Sequence, residues 1–105
     1  SVAETLSCAA LVNCMGPDPD VRRTSDPLMA SLLAAGWIRP GPLFLGIDVD
    51  DSGAAIGRDG VTSKVLYAVG PLRRGRLYET TAVPELRVQV GELAALLDPD
   101  ASVPA

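Results

Sequence analysis

The residues best suited to chemistry lie between Leu66 and Arg87. An apolar run, Leu66-Tyr67-Ala68-Val69, closes on Gly70-Pro71, and a loop carrying Arg73, Arg74 and Arg76 follows. Pro84 then opens an amphipathic helix with Glu85 in its first turn. A glycine turn, a basic loop and a helix N-terminus in succession form a place for an anionic group, because the first N–H groups of a helix have no partner inside it and carry partial positive charge. The arginines have a plainer reading as solvated loop charges. Arg87 adds to the anion reading, since a cation in the first turn opposes the helix dipole unless an anion is near.

Other chemistries are excluded by residue type. The chain has no histidine, which removes the commonest general base, the commonest zinc ligand and every Ser-His or Cys-His nucleophile. A net charge of −4 argues against nucleic acid as a partner. No residue stands out as a catalytic acid, base or nucleophile, so the isolated chain is expected to be inert. Asp48-Val-Asp50-Asp-Ser52-Gly53 and Asp59 match a calcium loop at several positions, but Asp replaces the final Glu and no helix pattern precedes it, so a hairpin turn is the favoured reading and no metal site is assigned.

At 105 residues the chain is expected to be one domain, 1–105, with a frayed tail over 98–105. Aromatics are only 4%, so Leu, Val, Ile and Ala must build the core. Leu6 to Met15 is almost wholly apolar, as in a strand covered on both faces. Cys8 and Cys14 on such a strand would be about 20 Å apart and unable to pair, and are expected to be buried and reduced. Neither a membrane span nor a signal peptide is evident, so a cytoplasmic location is expected.

Ser25-Asp26-Pro27 starts a helix that Gly36 stops, with Leu28, Leu32 and Ala35 on its inner face and Met29 and Leu33 beside them. Leu43 to Asp50 is expected as a strand, Ala54 to Gly57 as the return arm of a hairpin, and Val65 to Val69 as a further strand. The last helix, from Pro84, places Leu86, Val90, Leu93 and Leu97 on one side. Trp37, Tyr67 and Tyr78 are expected to pack. An apolar strand without an adjacent partner needs covering, either by a larger parent protein or by self-association.

Several of these segments together resemble the C-terminal end of bacterial FAD/NAD(P)-binding oxidoreductases, a family with two dinucleotide-binding-type folds. The resemblance runs collinearly over about residues 9 to 97 through Val12-Asn13-Cys14-Met15-Gly16-Pro17, Arg22, Pro27-Leu28, Leu45-Gly46-Ile-Asp48-Val, Leu66-Tyr67-Ala-Val-Gly70-Pro71 and Glu79-Thr-Thr-Ala-Val-Pro84-Glu85-Leu-Arg87. It implies an α/β fold, a fragment of a Rossmann-like domain, and a parent flavoprotein that moves hydride between NAD(P)H and FAD. Cofactor-binding roles are implied for Gly16 and Pro17 at the exit from the nicotinamide-binding portion, and for Gly70, Pro71, Val83, Pro84 and Glu85 facing the flavin. Arg73, Arg74 and Arg76 are candidates for anion contact. Met15 stands where many relatives have a hydroxyl residue, and Pro71 where broader flavoprotein groups have an acid. The Gly-x-Gly-x-x-Gly turn that grips FAD pyrophosphate is absent from this chain, so upstream sequence would supply it. The alternative is a non-catalytic interaction domain that homodimerises through its first strand.

Overall fold

A computed structural model describes residues 3–98 and Asp100. Two helices and a two-stranded antiparallel hairpin form a small mixed α/β fold: α1 (Pro27–Ala35), β1 (Ala54–Ile56), β2 (Thr62–Tyr67) and α2 (Val83–Leu97). Single 3-10 turns occur at Val21–Arg23, Pro42–Phe44 and Gly70–Arg73. Except for Asp98 and Asp100, the expected tail lies outside the described residues.

α1 forms where the sequence places it. The Asp26 carboxylate accepts the Leu28 N–H at 2.9 Å, Pro27 occupies the first helical position, and Gly36 ends the helix at φ 80°. Its inward face is Met29, Leu32 and Leu33. Leu28 is instead 65% exposed, and Ala35 is exposed as well. From the loop after β1, Arg58 donates through Nη2 to the carbonyls of Leu33 and Ala34, satisfying helix-end acceptors with a cation.

The strand expected over Leu43–Asp50 does not form. Pro42–Phe44 makes a tight turn with Leu43 and Phe44 at positive φ, and the next backbone groups pair with two separate segments: Gly46 N–H with the Pro19 carbonyl, and, in the stretch 72–75, Ile47 N–H with the Leu72 carbonyl and the Leu45 carbonyl with Gly75 N–H. Hydrogen bonds divided between two unrelated segments satisfy the backbone without making a regular ladder. Only single bridges remain, Pro40 with Ile47 and Val49 with Ala55.

Ala54–Ile56 is a strand, but its ladder partner is β2 and not Leu43–Asp50, so the expected hairpin is replaced by one that turns after Ile56. Asp50 Oδ1 accepts from Ser52 N, Ser52 Oγ and Ala54 N, closing the turn over the stretch that resembles a calcium loop. Burial raises the Asp50 carboxyl, but the Ser52 hydroxyl and three backbone amides outweigh it and hold the group below the usual carboxylate range. Asp48 pairs with Arg39 at 2.7 Å. Among the described residues no group of three or more potential ligands could hold a metal ion. β1 pairs with β2 across a bulge, and β2 begins at Thr62, three residues before the expected Val65.

The core is small: Val21, Ile38, Ile47, Val49, Ala55 and Ala68, with Leu66 and Leu72 packed beside it. Two expectations about the core are overturned. Leu6–Met15 is not a covered strand; it is unpaired, with Leu11 at 89% and Met15 at 88% exposure, because a strand exists only where another supplies ladder partners. Cys8 and Cys14 on it are therefore exposed, though free as expected. Trp37 and Tyr78 are also exposed, Tyr78 lying under Arg74 with 5.0 Å between guanidinium and ring centre. The radius of gyration, 17.4 Å, exceeds the roughly 13 Å of a compact chain of this length.

One buried charge gives a pH dependence. Asp20 accepts from Arg22 Nε, Nη2 and backbone N–H, and the side-chain bonds to Arg22 lead in holding its carboxyl at about 2 against an ordinary 3.8. The unfolded chain then binds more protons than the folded one between those values. The stability Asp20 contributes is complete above about pH 4 and is lost as pH falls through about 2. Thermal melts over that window are expected to show a steeper acid loss in the wild type than in Asp20→Asn; parallel curves would remove Asp20 as the cause.

Candidate functional site

Gly70 leaves β2 at φ 84°, a left-handed conformation that suits glycine, and turns the chain beneath α2. Its N–H donates to Gln89 Oε1 at 2.9 Å in a buried bond, while Leu86 packs over it. Gln89 is only 2% exposed and is the single buried residue of α2. The glycine turn and the first two turns of α2 are therefore joined directly, as the sequence order suggests.

The helix start is partly open. Ala82 at the N-cap has no side-chain acceptor, and the N–H groups of Val83 and Glu85 find none among the described residues. Immediately before them, Glu79 Oε1 accepts from the Thr81 and Ala82 N–H groups at 3.2 Å each. These bonds, that from Thr81 first, hold the Glu79 carboxyl below its usual range. An acid of the chain thus takes the two amides ahead of the helix, leaving two within its first turn.

Between the loop after Gly70 and the face of α2 lies a cleft of about 550 Å³, within the range of small-molecule sites. Arg73, Arg76, Pro84 and Glu85 line it, together with Gln89 and Asp51. Arg73 is 5% exposed and donates through Nη2 to the Asp51 carbonyl; Arg76 is held by the Asp51 carboxylate at 2.9 Å. Glu79 and Glu92 also border the cleft, so four carboxylates face two guanidinium groups. That balance disfavours a phosphate within the cleft.

The predicted site residues thus divide. Pro84, Glu85, Arg73 and Arg76 line one cleft, Gly70 is bonded to Gln89 of the same cleft, and Pro71 lies in the turn between Gly70 and Arg73. Val83 borders the apolar side of α2, and Arg74 turns to Tyr78. Gly16 and Pro17 lie in the exposed N-terminal segment; no side chain or backbone atom outside its chain neighbours comes within 4 Å of where a Gly16 Cβ would stand.

Sequence reasoning missed Gln89 and Thr80. Both are buried, and Gln89 Nε2, Thr80 Oγ1, Arg73 Nε and Glu85 Oε2 are shielded polar atoms without partners among the described residues. The signal for Gln89 was its place three residues after Leu86 and four before Leu93, on the apolar stripe itself. No helix among the described residues is long and apolar enough to cross a membrane. Compared with protein-family models, curated proteins and solved structures, the chain has no match in any of the three.

Proposed function

We propose that this chain is the C-terminal, flavin-facing portion of an FAD-dependent oxidoreductase with a Rossmann-like parent fold, which passes hydride between NAD(P)H and flavin. The observation that carries the reading is the Gly70–Gln89 bond, which holds a left-handed glycine turn against the second turn of α2. The orphaned buried polar atoms of Arg73, Glu85 and Gln89 beside this turn suit a polar heterocycle. Gly70, Glu85, Gln89 and Arg73 would hold its ring, and a bound flavin would supply the hydride-accepting centre.

The chain's own contribution is electrostatic. Val83 and Glu85 N–H groups favour negative charge at the helix start by about 0.3 to 1 kcal/mol, enough to tune a reduction but not to bind a dinucleotide. The pyrophosphate grip belongs to sequence outside these 105 residues, and the exposed apolar Leu6–Met15 suits pairing with such a partner segment.

The gene product containing this chain, purified whole, is expected to carry FAD visible by its absorbance and to bleach with NADH or NADPH. The 105-residue chain alone is expected to bind FAD more weakly than about 1 μM. A whole product that neither retains nor reduces FAD would sink the proposal. The same exposed apolar segment favours one rival, an interaction domain that homodimerises; a flavin-free dimer in solution would support it.

A further inference from the structure

The cleft beside Gly70 offers a hydrogen-bonding pattern that the arginines alone do not explain. Gln89 is oriented by its Oε1, which accepts the Gly70 N–H, so its NH2 group is left as a donor. Arg73 uses Nη2 on the Asp51 carbonyl and leaves Nε–H as a second donor. Glu85, one helical turn before Gln89 and on the same face, leaves Oε2 as an acceptor. All three residues line the same cleft, and two of them, Arg73 and Gln89, are more than nine-tenths buried.

Two donors and one acceptor, covered in the ligand-free chain and reached only when the side chains over them part, select against most ligand classes. A phosphate would meet Glu85 as well as the other acids of the cleft, and a simple cation would meet Arg73. The complement is a neutral group presenting two acceptors and one donor. We propose that this cleft binds the imide edge of a planar heterocycle, a ring N–H flanked by two carbonyls, with Glu85 accepting from the N–H and Gln89 and Arg73 donating to the carbonyls. The pyrimidinedione edge of a flavin has this pattern, so the inference rests on the function proposed above and names the residues that read the ring. Uracil carries the same edge without the rest of the flavin.

The test changes the ligand as well as the protein, because Gln89 also supports the fold. The isotope-labelled chain is titrated with FMN and 3-methyl-FMN, and separately with uracil and 3-methyluracil, following the Gly70 amide and the Gln89 side-chain NH2 by NMR. Both unmethylated ligands are expected to move these signals, and N3-methylation, which removes the ring N–H, to weaken binding at least about ten-fold. Glu85→Met is expected to bring each pair within about two-fold while the melting temperature stays close to wild type. Equal binding of the methylated and unmethylated forms overturns the proposal, as does the absence of any shift at Gly70 and Gln89 up to about 20 mM uracil. Discrimination with uracil, in a chain whose whole gene product holds no FAD, would keep the imide site and remove the flavin reading. A flavin-loaded gene product without discrimination would do the reverse.

Discussion

Gly46→Ala is expected to remove a large share of the chain's stability. Gly46 stands at φ 69°, where a Cβ costs about 1 to 2 kcal/mol, and that Cβ would be driven into the Leu72 carbonyl group, 2.7 Å from its carbon. Leu72 cannot yield by a rotamer change, because the obstructing atoms are backbone and the same carbonyl accepts the Ile47 N–H at 2.9 Å. Relief means parting the segment 45–47 from the turn at 70–73 and uncovering Ile47. We expect about 3 to 5 kcal/mol, a large share of the roughly 5 to 15 available to a small domain. Urea unfolding should show a transition at a much lower midpoint. Gly16→Ala provides the contrast: φ is 73° there, but the space around the Cβ is open, so the cost should stay within about 1 to 2 kcal/mol. A Gly46→Ala midpoint equal to that of Gly16→Ala would show that the close approach does not matter.

Gln89→Leu is expected to destabilise by about 2 kcal/mol despite its similar size and greater hydrophobicity. The substitution strands the Gly70 N–H in a buried place, and an unpaired buried amide costs about 1 to 3 kcal/mol. It also frees α2, which buries no other residue and is attached to the turn chiefly through Gln89 and Leu86. Amide hydrogen exchange should locate the effect: Gly70 and the first turns of α2 should exchange faster, while α1 changes little. Uniform acceleration through the chain, or a change below about 0.5 kcal/mol, would contradict a local anchoring role.

Both substitutions act at contacts that sequence periodicity does not express. Asp26-Pro27 and Gly36 announce α1 because capping is local chemistry, and Pro84 marks the start of α2 to within one residue for the same reason. The apolar pattern of Leu6–Met15 was equally clear but stated only a need for cover, which pairing alone can meet. Val90 and Leu97 likewise satisfy a helical stripe yet remain exposed, since nothing in the described fold packs on that side of α2. For Leu43–Asp50 the β-formers were present, but Gly41 lets the loop 41–47 close on itself, and Gly46 and Gly75 let it approach the 72–75 stretch too closely for a regular ladder.

The site was legible as an order of elements and not as a set of charges. Pro84 and Glu85 line the cleft and Gly70 is bonded to Gln89 beside it, because strand, turn and helix succeed one another. The arginine trio separates: Arg73 is buried, Arg74 lies over Tyr78 and Arg76 joins Asp51. Asp51 is twenty-five residues from Arg76, and no local spacing links them.

The Arg58 clasp on Leu33 and Ala34 makes a helix without a buried residue part of a larger cooperative unit. To unwind, the last turn of α1 must also shed a guanidinium rooted in the linker between the strands. A protease able to cut an unravelled helix end therefore meets one held by two hydrogen bonds from outside the helix, a resistance to nicking that its own nine residues would not confer.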